Sequence, residues 1–94
     1  MATKTKRNTR EMVEFKRALL DVISETLERL DSSDSYTRSN MDDNAALLAQ
    51  YRADNPNATE RDDWNLRNYV NEDRRYHAVL EASAEVRALL ETLI

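Results

Sequence analysis

The chain has 94 residues, enough for one small domain. Charged residues make up 34 % of it and the mean hydropathy is -0.81, which is too polar for a membrane protein. Apolar residues make up 40 %, too many for a wholly disordered chain. The sequence has no glycine and no cysteine. These absences argue against tight hairpin turns, phosphate-binding loops and dinucleotide fingerprints, and they exclude disulfides, thiolate metal sites and cysteine nucleophiles.

The charge is unevenly distributed along the chain, although its formal net value is only -4. Up to Arg17 there are six basic and two acidic residues, and the remainder has eight basic and sixteen acidic residues. A cationic segment followed by an acidic body is one layout found in proteins that contact nucleic acid. We predict a basic flexible arm over residues 1–8 and a single helical domain over residues 9–94. The candidate nucleic-acid contacts are Lys4, Lys6, Arg7, Arg10, Lys16 and Arg17.

The sequence gives no sign of a targeting or membrane-spanning segment. The first ten residues are polar and basic, without the apolar stretch of a signal peptide. The longest apolar run, residues 45–49, is far shorter than a membrane span. We therefore expect a cytoplasmic protein that does not act in a membrane.

The first predicted helix covers residues 9–31, with Asn8 or Thr9 as its N-cap. Its apolar residues occupy an arc of about 180° at 100° per residue, wider than the stripe of a two-stranded coiled coil. This width predicts contacts with two neighbouring helices. The residues on the arc are Met12, Val13, Phe15, Leu19, Leu20, Val22, Ile23, Leu27 and Leu30.

A linker is predicted over residues 31–39, because its short polar side chains compete with the backbone for hydrogen bonds. Ser39 or Asn40 then caps a second helix over residues 40–54. That helix stops before Pro56, since the residue preceding a proline is disfavoured in helical geometry.

The third predicted helix covers residues 59–93 and has two apolar faces. Five residues in its first half lie on one side: Leu66, Tyr69, Val70, Tyr76 and Leu80. Five in its second half follow 3,4,3,4 spacing about 100° away: Val79, Ala82, Val86, Leu89 and Leu93. Either the helix kinks between them or its halves pack against different partners. We favour the second alternative, because no proline or glycine marks a kink.

The predicted fold is therefore all-α, an antiparallel bundle of three or four helices with a long C-terminal helix. The apolar seam that ends at Leu93 is expected to be buried against the first helix or against another chain. Such a small domain buries a modest fraction of its surface, so an oligomer or a protein partner would add burial.

No catalytic, cofactor or metal site is predicted. His77 lies one helical turn from both Asp73 and Glu81, a spacing that could hold a metal or position a general base. A solvated polar ridge on a helix has the same spacing, and no second element closes the site. Serine nucleophile and calcium-loop patterns are missing as well. We therefore predict that the chain is not an enzyme.

The alternative function is nucleic-acid binding through the basic arm and a helix-turn-helix-like segment, residues 45–70. The helix, Asn55-Pro56 turn and Thr59 cap resemble the approach to the second helix of some winged helix-turn-helix domains. The candidate recognition helix opens with acidic residues, which phosphates repel. The sequence also has no pair of strands for a wing.

The favoured function is a non-enzymatic interaction module that buries apolar helix faces against a protein partner or copies of itself. Assembly factors, virion components and inhibitors of larger machines are roles that suit such a chain. Trp64 is the candidate anchor, because Trp, Tyr and Arg are enriched at interface hot spots. The predicted contacts, together with part of the wide face of the first helix, are Trp64, Tyr69, Tyr76, Val79, Val86, Leu89 and Leu93.

Overall fold

In a computed structural model, which describes the backbone of residues 2–94 and the side chains of residues 9–94, the chain is a hairpin of two helices. Helix α1 spans Ala2–Asp54 and helix α2 spans Trp64–Glu91. Within this described part there is no strand. The all-α class is confirmed, but the predicted bundle of three or four helices is wrong.

The error lies in the predicted linker, because residues 31–39 are helical and join the first two predicted helices into α1. This segment has neither proline nor glycine to interrupt a helix. Its polar residues also find partners across the hairpin: Arg87 lies 2.7 Å from the Asp31 carboxylate and 3.2 Å from that of Asp34. These contacts satisfy side chains that would otherwise favour a turn.

The turn between the helices covers residues 55–63. Helix α1 ends at Asp54, before Pro56, as the sequence predicts. Thr59 starts only a short turn, in which its hydroxyl accepts from the backbone N–H of Asp62 at 3.3 Å. The N-cap of α2 is Asp63, whose carboxylate accepts from the backbone N–H of Leu66 at 2.9 Å.

The two helices pack antiparallel along heptad seams with strict 3,4 spacing. The Asn44 side chain donates a hydrogen bond to the backbone carbonyl of Tyr69 at 2.9 Å. The rings of Tyr51 and Tyr69 pack together, with 5.6 Å between their centroids. Every seam residue is buried or half-buried. The seam of α1 consists of Ile23, Leu27, Leu30, Asp34, Thr37, Met41, Asn44, Leu48 and Tyr51, and that of α2 consists of Leu66, Tyr69, Asp73, Tyr76, Leu80, Ser83, Arg87 and Leu90.

The two helices differ in length, so α1 projects beyond α2. Arg87 lies opposite Asp31, which places the end of α2 at Glu91 opposite approximately residue 27. Residues 2–22 of α1, here called the overhang, therefore extend past the open end of the hairpin by about 32 Å. The molecule measures 78 × 21 × 15 Å.

Candidate protein-binding face

The apolar surface of the chain is mostly exposed, and the apolar core is small. Among the described side chains, the buried apolar residues are Ile23, Leu66 and Val70. In contrast, Phe15 is 70 % exposed and Leu89 is 68 % exposed. Large apolar side chains of this kind are the usual material of protein interfaces.

Most of the exposed apolar side chains lie on one side of the hairpin. They occupy the positions that immediately precede the seam positions of each helix. In an antiparallel pair these positions fall on the same side, because reversing a helix reverses its apparent sense of rotation. We call this surface the apolar face; it consists of Met12, Phe15, Leu19 and Val22 on α1 with Val79, Ala82, Val86, Leu89 and Leu93 on α2.

The overhang contributes an apolar groove to this face. The groove runs along α1 and is lined by Thr9, Met12, Val13, Phe15, Lys16 and Leu19. No residue of α2 reaches it, because α2 ends opposite approximately residue 27. The predicted wide arc of the first helix is thus divided: Ile23, Leu27 and Leu30 face α2, whereas the residues before them are exposed except for the half-buried Leu20.

The C-terminal seam predicted from the sequence lies on the apolar face. Val79 and Val86 are each 44 % exposed, and Leu93 is also exposed. Of the two expected ways to bury this seam, burial against the first helix is wrong, because Leu80, Ser83, Arg87 and Leu90 of α2 face α1 instead. Burial against another chain stays a prediction. Helix α2 is continuous, so its two apolar sides face different surroundings without a kink.

The predicted aromatic contacts separate into two environments. Tyr69 and Tyr76 are half-buried at seam positions, where they pack inside the hairpin. Trp64 is 68 % exposed at the first position of α2. It lies on the same side of α2 as Val79 but about 22 Å away along the axis, and polar Asn68, Asn71 and Arg75 separate the two. Trp64 is therefore a separate exposed aromatic near the turn.

A polar cluster joins the two helices near the open end of the hairpin. Arg87 bridges Asp31 and Asp34, and the buried Ser83 hydroxyl lies beside them without a hydrogen bond of standard geometry. The nearby Ser83 hydroxyl, followed by the Arg87 guanidinium, lowers the pKa of the Asp34 carboxyl below its ordinary 3.8, against the opposing effect of burial. This cluster is absent from the residues predicted above, although polar residues at 3,4 spacing between apolar ones are a signal for it.

A second polar contact fixes the turn end of the hairpin. The Tyr51 hydroxyl donates to the Asp63 carboxylate at 2.7 Å. The backbone N–H of Leu66 and the Tyr51 hydroxyl lower the pKa of Asp63, and the hydrogen bond to Asp63 raises the pKa of Tyr51. Both pKa shifts come from the hydrogen bonds that hold the N-cap of α2, so they indicate a structural contact and not a catalytic group.

Among the candidate nucleic-acid residues whose side chains are described, Arg10 and Arg17 lie on the same side of α1, and Lys16 lies about 100° around the helix from Arg17. Arg10 lies 3.9 Å from Glu14, Lys16 borders the apolar groove, and Arg17 is exposed. The backbone of residues 2–8 belongs to α1, and the side chains of Lys4, Lys6 and Arg7 lie outside the described residues, so nucleic-acid binding through these basic residues stays a prediction. The helix-turn-helix-like segment, residues 45–70, forms the antiparallel closed end of the hairpin.

His77 has one acidic neighbour, Asp73, whose Oδ1 lies 3.6 Å from its Nε2. Both side chains belong to the same helix, one turn apart. Across the described residues, no group of three or more acidic or histidine side chains is placed to hold a metal ion.

Comparison with known proteins returned no match to any family model, curated protein or solved structure. None of the helices in the described part of the chain is both long enough and apolar enough to cross a membrane.

Proposed function

We propose that the chain is a non-enzymatic cytoplasmic interaction module whose apolar face binds protein. The observation that carries the proposal is the alignment of exposed apolar residues from two helices on one side of a hairpin. Met12, Phe15 and Leu19 in the overhang and Val86 and Leu89 on α2 are all exposed. Their burial against a partner is favourable by about 25 cal/mol per Å² of apolar area.

The size of the exposed surface supports a binding role. The chain exposes 7686 Å², whereas a compact protein of this mass exposes about 5,600 Å². The excess of about 2,000 Å² is larger than the ~800 Å² that each partner contributes to a standard interface. A binding partner could therefore cover the apolar face and still leave the polar sides of both helices in water.

Photo-crosslinking in cells tests this function whichever protein is bound. We would replace Val86 with p-benzoylphenylalanine, which forms a covalent bond with a molecule within a few ångströms. The matched control carries the same group at Ala84, which is exposed on the opposite side of α2. We expect Val86 to give a defined protein adduct and Ala84 to give none.

Two results would contradict the proposal. Equal adduct formation from both positions would mean that the apolar face has no special role in binding. An adduct to nucleic acid alone, lost when Lys4, Lys6 and Arg7 are replaced by glutamine, would favour the alternative function of nucleic-acid binding.

A further inference from the structure

We infer that the partner of the apolar face is a second copy of this chain, bound antiparallel so that the overhang of each copy packs on α2 of the other. The inference rests on the proposed function and specifies its partner. It is carried by three features of the chain: the spacing of the two halves of the apolar face, their charges and their lengths.

The apolar residues of the two halves of the apolar face have the same spacing. Met12, Phe15, Leu19 and Val22 on the overhang follow 3,4,3 spacing, and so do Val79, Ala82, Val86 and Leu89 on α2. Two helices with equal heptad spacing can pack side by side in parallel with all layers aligned. The alignment places the large Phe15 against the small Ala82 and Leu19 against Val86, which suits interdigitated packing.

The charges of the two regions are opposite. The segment up to Arg17, which includes most of the overhang, has six basic and two acidic residues. In the register that places Leu19 beside Val86, this segment lies against residues 33–49 and 68–84 of the other copy, which have six acidic and three basic residues. Opposite net charges of the two regions favour their association.

The lengths of the two regions prevent this contact within one chain. Val86 lies opposite approximately residue 31 of its own α1, since Arg87 pairs with Asp31. Leu19 is twelve residues away from that level, about 18 Å along the helix. A second copy turned end for end removes the gap, because its α2 then lies beside the overhang and runs parallel to it. The contact between an overhang and an α2 helix forms twice, once on each side of a two-fold axis near residue 25.

The arrangement also accounts for the division of the wide apolar arc on α1. In the single chain no other helix packs against the overhang. In the dimer it would have two neighbours, α1 and α2 of the partner copy. Each overhang would then lie in a three-helix cross-section. The exposed Leu93 and Ile94 of both copies lie close to the two-fold axis, where the ends of the two α2 helices meet.

Disulfide formation between introduced cysteines tests the arrangement, and the natural chain has no cysteine to interfere. The test variant is Leu19→Cys with Val86→Cys, whose Cα atoms can approach within bonding range only between copies. The matched control is Leu19→Cys with Val79→Cys, which is out of register by about 10 Å. We expect the test variant to form covalent dimer about tenfold faster than the control at equal concentration.

The single variants Leu19→Cys and Val86→Cys decide the orientation. In the antiparallel dimer each cysteine lies about 18 Å from its own equivalent, so neither single variant forms covalent dimer efficiently. Efficient dimer from either one would overturn the arrangement. Circular dichroism of the reduced variants checks that the helix content is unchanged. If Leu19→Cys with Val86→Cys does not fold, Phe15→Cys with Ala82→Cys probes the same register.

Failure of this inference can be told apart from failure of the proposed function. A purified chain that stays monomeric and gives no covalent dimer overturns the second copy as partner. If p-benzoylphenylalanine at position 86 then captures a different protein while position 84 does not, the apolar face still binds protein. If position 86 captures nothing as well, both conclusions fail.

Discussion

Polar residues at seam positions determine how the two helices of the hairpin pair. Thr37, Asn44 and Ser83 are buried, and Asp34 and Arg87 are half-buried. Polar residues in a coiled-coil seam specify register and orientation at some loss of stability. The single chain therefore has a well-defined pairing but little apolar core.

The Asp34 carboxyl makes the stability of the hairpin depend on pH. Its pKa is lowered in the folded chain, so its ionised form stabilises the fold above pH 3.8, and this contribution is lost as the pH falls through the lower folded value. We predict that the unfolding temperature falls as the pH is reduced from about 5 to about 2. In the Asp34→Asn variant the unfolding temperature should fall less over the same pH range.

Thermal unfolding followed by circular dichroism at several pH values provides the measurement. The Asp63 carboxyl, whose pKa is also lowered, contributes in the same direction, so some acid sensitivity remains in Asp34→Asn. Identical pH profiles for Asp34→Asn and the natural chain would show that the Asp31, Asp34 and Arg87 cluster does not stabilise the fold.

Leu66 is one of the few buried apolar residues, at 4 % exposure, and its loss should be costly. We predict that Leu66→Ala lowers the free energy of unfolding by about 2–4 kcal/mol, since it removes buried methyl groups and leaves a cavity. Leu47→Ala, at a position that is 55 % exposed, should change it by less than about 0.5 kcal/mol. Urea unfolding of both variants measures the difference. Equal losses in the free energy of unfolding would mean that Leu66 is not part of the core.

At the scale of the helices, the sequence predicted the end of α1 near the turn better than the continuity of α1 or the start of α2, which lies at Trp64 and not at residue 59. Pro56 is a local signal that holds in any tertiary context, and α1 ends at Asp54 as predicted. Residues 31–39 have a local preference for turns, but their helix is supported by Arg87, which is more than fifty residues away in the chain. Such a long-range contact can override local propensity and has no local signal.

A heptad count through the same segment could have detected the continuity. Leu30, Asp34, Thr37 and Met41 keep the 3,4 spacing that begins at Ile23. Residue type alone predicts a linker in this segment. Spacing that persists across polar residues is therefore the better guide in a chain without glycine.

The continuity of α1 predicts the effect of a proline at Ser35, an exposed position in the middle of residues 31–39. In a helix, Ser35→Pro should cost about 3 kcal/mol, because it removes a backbone hydrogen bond and clashes with the preceding turn. Ser35→Ala should be neutral or slightly stabilising, since alanine is the best helix former. Urea unfolding of the two variants compares them. A Ser35→Pro variant as stable as the natural chain would indicate a loop in this segment.

At the scale of the whole molecule, the sequence predicted part of the apolar face. The 3,4,3,4 spacing of Val79, Ala82, Val86, Leu89 and Leu93 predicts this seam, and these residues are exposed on α2. The half on the overhang was less clear, because a wide apolar arc does not by itself tell which of its sides α2 covers. Because α1 continues through residues 31–39, it is longer than α2, and this difference in length determines which part of the arc α2 covers.

The proposed dimer has a characteristic length. Two antiparallel copies related by an axis near residue 25 overlap along most of α1, so the dimer should be about 95 Å long. The single chain measures 78 Å along its longest axis. An end-to-end dimer of the same mass would be about 150 Å long. The maximum dimension from small-angle X-ray scattering separates these cases, and a value near 150 Å would exclude reciprocal packing of the overhangs.

Sedimentation equilibrium of the purified chain tests most directly whether the apolar face is completed by a second copy. The natural chain should sediment with twice its mass of 11.0 kDa. Val86→Asp should restore the single mass without loss of helix, because Val86 is exposed in the single chain and a charge there is unfavourable only in an interface. The control variant Ala84→Asp, on the opposite side of α2, should remain dimeric. A natural chain of single mass, or a Val86→Asp variant as dimeric as Ala84→Asp, would contradict the dimer.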